Sequence, residues 1–296
     1  MTTILVDIRN AFKRYDNSVA QLILINVIIF ALFQIVSSLL FFAGNVTFED
    51  TLVRSLSLPA SLYQLSEKPW TIITYFFFHK GWLHIIFNML FLYWFGQIIA
   101  EFLGHKRLIA IYITGGLIGG FTFLAAYNLI PMFSARVGTN ILLGASGAVY
   151  AVVLAAATLV PNYTFNLILL GPVKIAYIAA FYVLLSFADI RTDNPGGNLA
   201  HIGGAVAGFV FIRQLRRGSD MGKWIYVTLD MFGSVFKPKP PKKVVKNYSN
   251  PEKAFRDNPR PDDEEIDAIL DKINKSGYES LSREEKEKLF QASQKD

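Results

Sequence analysis

The sequence contains no cysteine among its 296 residues, and only 18% of its residues are charged. The absence of cysteine excludes disulfides, a thiol nucleophile and cysteine-based metal sites. The low charge accompanies 52% hydrophobic residues, 25 Phe and a mean hydropathy of +0.35, a composition outside that of ordinary soluble domains. The sequence therefore predicts a membrane protein.

The basic balance of the chain, a net charge of +6 and an isoelectric point near 9.3, could also indicate a nucleic-acid partner. The Lys and Arg residues, however, flank long apolar runs or follow directly after them, which is typical of residues that set membrane orientation. We therefore expect membrane lipids, and no nucleic acid, as partners. Residues 1–17 hold only a short apolar patch before Asp7, so we expect no cleavable signal peptide.

Six apolar segments are candidates for membrane-spanning helices, because a hydrocarbon core about 30 Å thick requires roughly 20 apolar residues. In chain order they are residues 19–43, 82–103, 108–130, 144–160, 174–190 and 199–215. The fourth and sixth are short and rich in Gly and Ala, which is typical of helices enclosed by others. The expected fold is an all-α polytopic membrane protein whose six-helix bundle occupies residues 18–218.

Lys and Arg residues near the ends of these segments are unevenly divided between the two sides of the membrane. The side that carries the N-terminus has ten of them: Arg9, Lys13, Arg14, Lys106, Arg107, Lys174, Arg213, Arg216, Arg217 and Lys223. The other side has five: Arg54, Lys68, Lys80, Arg136 and Arg191. Since cytoplasmic loops are enriched in basic residues, we expect both termini in the cytoplasm, with the protein in the inner membrane of a bacterium.

The rest of the chain is polar or only partly apolar. A long first outer loop, residues 44–81, is expected to lie partly in the membrane interface. After the sixth segment we predict an interfacial amphipathic segment at 219–236 and a stiff linker rich in Pro and Lys at 237–261. Residues 262–296 are predicted to form a small helical hairpin with a capping box between Ser282 and Glu285. Our hypothesis is that this hairpin binds a protein partner or has a regulatory role.

Four polar side chains within the apolar segments need an explanation, because an unsatisfied polar group in hydrocarbon costs several kcal/mol. They are His84 and Asn88 in the second segment, Ser146 in the fourth and His201 in the sixth. Even-numbered segments all enter the membrane from the outer side, so these residues are expected at a similar depth near the outer leaflet. The sequence therefore predicts that they meet.

Glycines favour close contact between the fourth and sixth segments. Gly147 follows Ser146 directly, and Gly204 and Gly208 give the sixth segment a small-residue face. Close approach of the two backbones would bring the Ser146 hydroxyl within reach of the His201 imidazole. A serine beside a base is the arrangement of an activated nucleophile.

The position of Ser146 at the beginning of a helix adds a second property. N–H groups of a first helical turn have no intrahelical partner and suit a developing oxyanion, to which His84 and Asn88 could add donors. Asp189 and Asp193 lie at the end of the fifth segment and in the following loop. The pattern therefore favours a Ser–His dyad over a triad.

Three motifs occur in one order along the chain. They are His79-Lys80-Gly81-Trp82-Leu83-His84-Ile85-Ile86-Phe87-Asn88-Met89 followed by Phe95-Gly96, then Gly144-Ala145-Ser146-Gly147 with Tyr150, then Ala200-His201 followed by Gly204 and Gly208. In these motifs the sequence resembles the rhomboid intramembrane serine proteases, over roughly residues 15–215. Two positions depart from the family pattern. Thr71 follows Trp70 where Arg is usual, and Glu101 falls one position later than the usual acidic residue.

The resemblance implies a serine endopeptidase that cleaves transmembrane protein substrates within or near their membrane spans, without a cofactor or metal. Ser146 would be the nucleophile and His201 the base. The resemblance implies support of the oxyanion site or of the histidine by four further residues: His84, Asn88, Gly144 and Tyr150.

Other interpretations stay open at this point. Ser146 beside glycine is also typical of helix packing alone. The same cleft could belong to a catalytically silent binder or escort of membrane proteins. A transporter would be expected to carry more ionisable residues near the midplane of the membrane. His79 and His105, at the predicted water boundary, are expected to have structural roles.

Overall fold

The structure is a computed structural model that describes residues 17–167, 171–191, 194–236 and 263–293. The chain divides into two compact units, residues 1–236 and 237–296. Three parts of the sequence-based predictions lie outside the described residues: nearly all of the N-terminal segment 1–17, the linker 237–261 and Asp193.

Helices dominate the described chain. In chain order they are α1 (Ser18–Phe42), α2 (Val46–Leu56), α3 (Leu62–Glu67), α4 (Thr71–Thr74), α5 (Trp82–Leu103), α6 (His105–Leu129), α7 (Ser146–Leu159), α8 (Ile175–Ala188), α9 (Pro195–Arg216), α10 (Lys223–Phe236), α11 (Asp263–Ser276) and α12 (Arg283–Ser293). Four short strands form two antiparallel pairs: β1 (Leu58–Pro59) with β2 (Ile141–Leu142), and β3 (Thr164–Leu167) with β4 (Gly171–Lys174).

Six of these helices correspond in order to the six predicted segments: α1, α5, α6, α7, α8 and α9. Among the described residues, four of them, α1, α5, α6 and α9, are long and apolar enough to cross a membrane. The other two, α7 and α8, have 14 residues each. α7 lies at the centre of the bundle, since ten of its residues are buried. α1 exposes large side chains such as Leu39 and Phe42, as expected of a lipid-facing helix.

Five predicted helix starts differ from the structure, three of them by two residues or more, at α6, α7 and α9. α6 begins at His105, three residues before its predicted start. α9 begins at Pro195, four residues before the predicted start, because Asn194 caps it by accepting a hydrogen bond from the Gly197 N–H at 3.0 Å. His201 therefore lies in the second turn of α9. α7 begins at Ser146, two residues after the predicted start, because Gly144 has φ +116°, which no helix accommodates.

The first outer loop is folded and tied to the chain just before α7. β1 within this loop pairs with β2, opposing Leu58 to Leu142 and Pro59 to Ile141. Indole Nε1 of Trp70 donates to the Ser55 carbonyl at 2.8 Å. Thr71, at the position where Arg is usual, is buried and donates to the Lys68 carbonyl at 2.7 Å. The loop is thus anchored by hydrogen bonds to backbone carbonyls.

A buried polar chain joins the first outer loop to two long helices. Asn26 of α1 is fully buried, and its amide donates to the Leu22 carbonyl at 2.8 Å and to the Tyr112 hydroxyl at 3.1 Å. Tyr112 of α6 in turn donates to the Phe76 carbonyl at 2.9 Å. The Asn26 amide and the Tyr112 hydroxyl thus both have hydrogen-bond partners, as burial in an apolar bundle requires.

α10 covers most of the predicted interfacial segment and is attached to the start of α6. The Asp220 carboxylate accepts from Arg107 Nε at 3.2 Å and from the Tyr226 hydroxyl at 3.1 Å. Ile225 is buried beside these groups, whereas Trp224 is exposed. One face of α10 therefore contacts the bundle, and the face that carries Trp224 is exposed.

The second unit contains α11 and α12, joined by a short 3-10 turn at Tyr278–Ser280. Lys272 and Glu285 form an ion pair at 2.7 Å between the two helices, and this hydrogen bond lowers the pKa of Glu285. The Ser282 N–H donates to the Glu285 carboxylate at 2.6 Å, and the Glu285 N–H donates to Ser282 Oγ at 3.2 Å. These two reciprocal bonds are those of a capping box.

Candidate active site

The turn before Ser146 requires glycine at position 144. Gly144 combines φ +116° with an N–H that donates to the Tyr75 carbonyl at 2.9 Å. A Cβ at this position would lie 2.4 Å from His84 Cε1, closer than any real contact. The absence of a side chain therefore lets the His84 ring of α5 lie directly against the residues that lead into α7.

Glycines also set the contact between α7 and α9. A Cβ on Gly204 would lie 2.0 Å from the Gly147 carbonyl oxygen, and a Cβ on Gly208 would lie 2.0 Å from the Ala151 carbonyl oxygen. The two backbones touch where any larger residue would separate them. At this spacing the His201 imidazole reaches Ser146, with Nε2 2.7 Å from Oγ.

Aromatic rings fix the plane of the His201 imidazole. The Tyr150 ring stacks on it with centroids 4.4 Å apart and planes within 7°. Tyr182 of α8 stacks against Tyr150, at 3.9 Å and 14°. The stack of the Tyr150 and Tyr182 rings thus fixes the orientation of the imidazole plane. Tyr150 occupies the position that the resemblance implies.

The second ring nitrogen of His201 meets a hydroxyl rather than a carboxylate. Its Nδ1 lies 3.0 Å from Ser186 Oγ on α8. The Asp189 carboxylate lies 3.5 Å from the Asn198 amide instead. The geometry of the described residues is therefore that of a Ser–His pair without an acidic third member.

His79 organises the other side of the site. Its side chain is fully buried, and burial, with a smaller effect of His84, lowers the pKa of His79 to about 3, so the ring is neutral. Its Nε2 accepts from the Ala145 N–H at 3.2 Å and lies 3.3 Å from Asn88 Nδ2. The Asn88 amide also donates to the His84 carbonyl at 2.8 Å. His79 therefore connects the entry to α7 with the side chains of α5.

The first turn of α7 offers further hydrogen-bond donors. Ala145 at its N-cap has no polar side-chain atom, so the amides of the first turn receive no cap from it. A helix N-terminus also carries a partial positive charge. The site thus combines a hydroxyl, a base and N–H groups that suit a developing negative charge, which is the chemistry of acyl transfer.

The structure brings together every site residue predicted from the sequence: Ser146, His201, His84, Asn88, Gly144 and Tyr150, with the packing glycines Gly147, Gly204 and Gly208. Glu101 is exposed on α5 and is not part of this site. His105 has a structural contact, with Nδ1 2.9 Å from Ser18 Oγ.

Sequence reasoning missed two residues of the site. Ser186 is the only serine in the predicted fifth segment, and an isolated hydroxyl in an apolar segment was the available signal. The sequence predicts His79 at the water boundary, whereas its side chain is buried against Ala145 and Asn88. Its spacing of five residues from His84 gave no indication of that contact.

Comparison with known proteins agrees with this geometry. A family model described as the Rhomboid domain matches residues 66–218. A second one, described as a family of unknown function (DUF6576), matches residues 252–295.

Among the relatives, Rhomboid-like protein 16, chloroplastic, of Arabidopsis thaliana is 31% identical over 160 residues, 50% of this chain and 49% of the relative. RHOMBOID-like protein 12, mitochondrial, of the same plant is 31% identical over 158 residues, 50% of this chain and 47% of the relative. Rhomboid protease GlpG of Haemophilus influenzae is 28% identical over 182 residues, 58% of this chain and 83% of the relative.

The chain spans about half the length of the two plant relatives. The Rhomboid match covers more than half of the chain itself and includes both Ser146 and His201. With its long apolar helices, the protein is an integral multi-pass membrane protein. It belongs to the rhomboid family.

Proposed function

We propose that this protein is an intramembrane serine endopeptidase that cleaves transmembrane proteins within or near their membrane spans. The observation that carries this proposal is the 2.7 Å contact between Ser146 Oγ and His201 Nε2. A serine used only for packing has no need of an imidazole that is stacked and hydrogen-bonded on its far side. This arrangement is that of a nucleophile with its base.

In the proposed reaction, Ser146 Oγ attacks a peptide carbonyl carbon while His201 Nε2 takes the hydroxyl proton. The tetrahedral intermediate collapses as His201 gives that proton to the leaving amine, and an acyl ester remains on Ser146. Water then attacks the ester, with His201 again as base, and the free carboxylic acid and the serine hydroxyl are restored.

The negative charge on the carbonyl oxygen needs donors that are already in place. The first-turn amides of α7 supply some of them, and His84 and Asn88 the others. The Asn88 N–H that lies near His79 is the one that can turn to the oxyanion, because the other is held by the His84 carbonyl. Apo sites commonly need such a small adjustment.

The short length of α7 explains how water reaches Ser146 in this proposal. A helix of 14 residues is about 21 Å long, roughly 9 Å less than a hydrocarbon core of about 30 Å. Ser146 at its outer end is therefore recessed into the bundle, where a substrate helix must unwind to present its peptide bond. The six-helix bundle, residues 18–218, is proposed to span the membrane six times.

We propose that both termini lie in the cytoplasm, which the distribution of Lys and Arg supports, and that the protein lies in the inner membrane of a bacterium. Substrates are transmembrane proteins and the exposed face of α10 contacts lipid. For α11 and α12, within the region matched by a family of unknown function, we propose a protein partner.

A cleavage assay in liposomes tests the function. The full chain is reconstituted with a single-span substrate, and the products are separated by gel and identified by mass spectrometry. The wild type and Ser134→Ala should cleave alike, because Ser134 is exposed and its hydroxyl bonds only the nearby Pro131 carbonyl. Ser146→Ala should not cleave, and cleavage by that variant would overturn the proposal.

Labelling by a serine-directed fluorophosphonate separates the protease from a silent binder or escort. This reagent reacts with activated hydroxyl groups and requires no knowledge of the natural substrate. A protease should be labelled at Ser146. A folded wild-type protein that is not labelled would be a binder, and the proposal would be wrong.

A further inference from the structure

Four hydrogen-bonding contacts run in series from Ser146 to the backbone of α8. Ser146 Oγ lies 2.7 Å from His201 Nε2, and His201 Nδ1 lies 3.0 Å from Ser186 Oγ. Ser186 Oγ lies 2.6 Å from the Tyr150 hydroxyl, which donates to the Tyr182 carbonyl at 3.0 Å. Side chains from α7, α8 and α9 are thereby linked in one unbranched series.

The direction of every bond follows from the last acceptor. A carbonyl oxygen only accepts, so the Tyr150 hydroxyl must give its proton to Tyr182. Ser186 must then donate to the Tyr150 oxygen, because the Tyr150 proton is already used. With its own proton committed, Ser186 can only accept at the remaining contact, so His201 Nδ1 carries a proton.

If every donor and acceptor in the series were exchanged, one hydrogen bond would be lost. If Tyr150 donated to Ser186 and Ser186 to Nδ1, the Tyr182 carbonyl would face an oxygen without a proton at 3.0 Å. His201 Nε2 would then carry the proton and could not take one from Ser146. Only the arrangement in which Tyr150 donates to the Tyr182 carbonyl makes all four contacts hydrogen bonds and leaves His201 Nε2 unprotonated.

We propose that Ser186 is a positioning residue that holds His201 in the tautomer with a bare Nε2, using Tyr150 and the Tyr182 carbonyl as its support. This inference rests on the proposed function, in which His201 is the base. Ser186 touches neither substrate nor nucleophile, and it acts only through the imidazole.

A hydroxyl suits this position better than a carboxylate. Ser186 is 3% exposed and Tyr150 is 4% exposed. A carboxylate there would have to be ionised in an apolar interior, which is costly unless it is fully paired. A neutral series of bonds fixes the tautomer without a buried charge, and each bond polarises the next. No proton has to move along the series, since Nδ1 keeps its proton throughout the reaction.

The tautomer is measured without reference to activity. The chain has only four His, so ¹⁵N labelling of histidine gives few imidazole signals, and each is assigned by substitution. In the wild type we expect His201 as a single neutral form with the proton on Nδ1. Ser186→Ala should show a mixture of the two tautomers, and Ser186→Thr, which keeps the hydroxyl, should restore the single form.

The rates of labelling and cleavage should fall when less of His201 is in the tautomer with an unprotonated Nε2. Loss of one neutral hydrogen bond corresponds to about a tenfold change, so Ser186→Ala should be labelled by a fluorophosphonate about tenfold more slowly. In the cleavage assay kcat should fall while KM stays the same. Thr114→Val is the matched control, because Thr114 is also a buried hydroxyl but makes no hydrogen bond among the described residues. It should keep the wild-type rate.

The outcomes separate this inference from the proposed function. If the wild type is labelled at Ser146 but Ser186→Ala keeps both the labelling rate and the single tautomer, Ser186 has no positioning role and the dyad proposal stands. If the folded wild type is not labelled at all, the proposed function fails, whatever the tautomer. Thermal unfolding in detergent identifies any variant that has lost its fold, and Ser186→Thr then decides the result by its tautomer.

Discussion

Gly204→Ala is the substitution that tests most sharply whether helix contact creates the Ser–His pair. The added Cβ would lie 2.0 Å from the Gly147 carbonyl oxygen, whereas ordinary contact begins near 3.4 Å. α9 must therefore move by about 1.4 Å from α7 at this point, the difference between these two distances. His201 is three residues away on the same helix and moves with it.

A shift of about 1.4 Å is large compared with the tolerance of the hydrogen bond between Ser146 and His201. A 2.7 Å hydrogen bond between Nε2 and Oγ that is lengthened by most of that amount is no longer a hydrogen bond. Misplacement of a catalytic group by about 1 Å can lower the rate by about 10²-fold. Overpacking also costs about 1–3 kcal/mol of stability. We expect Gly204→Ala to be labelled by a fluorophosphonate about 10²-fold more slowly and to unfold at a lower temperature.

Gly96→Ala on α5 is the matched control. It is also a helical glycine, but its Cβ would lie 3.5 Å from Val19 Cγ2, an ordinary contact. Replacing this glycine should keep the labelling rate and raise stability slightly, since Ala favours helix over Gly by about 1 kcal/mol. Labelling of Gly204→Ala at the wild-type rate would refute the claim that glycine contact sets the Ser–His distance.

Three further predictions use the same assays. Gly144→Ala should abolish labelling, because its Cβ would collide with the His84 ring and its φ of +116° is unfavourable for alanine; a labelled Gly144→Ala would contradict this. Asn88→Ala should lower kcat about 10²-fold, as for other oxyanion donors, and an unchanged kcat would remove Asn88 from the site. Tyr112→Phe should destabilise the bundle by about 1 kcal/mol, since Asn26 and the Phe76 carbonyl lose a partner; equal thermal unfolding would show that these bonds contribute nothing.

Much of the site could be predicted because helix position along the chain fixes depth in the membrane. Ser146 and His201 lie on the fourth and sixth predicted segments, which their order along the chain predicts to enter from the same side, and the small residues around them allow contact. The second predicted segment has the bounds of α5, since Pro69 and Gly81 interrupt the sequence before it and Gly104 follows it. These features depend on residues close together along the chain, so they can be read from the sequence.

The partner of His201 Nδ1 could not be predicted for a physical reason. α8 is apolar on all sides, so its sequence does not indicate which face turns towards α9. The contact of Ser186 depends on that rotation, which packing decides. The same holds for His79, which is buried against Ala145, the residue that follows the turn at Gly144.

The start of α9 shows a different limit. The apolar segment starts at Leu199, whereas the helix begins with the Asn194 cap and Pro195. Gly196 and Gly197 lower the helical tendency of this stretch, although Gly196 packs against Phe123 and Tyr127 of α6 and the Gly197 N–H is bound by the Asn194 cap. Hydropathy identifies the apolar part of a helix and not its caps.

Mapping the fluorophosphonate adduct by mass spectrometry on wild-type protein and on His201→Ala shows whether the imidazole activates Ser146. We expect one adduct on Ser146 in the wild type and none in His201→Ala, because the hydroxyl is activated only by the imidazole at 2.7 Å. An adduct on a different residue, or equal modification of Ser146 without His201, would contradict this expectation.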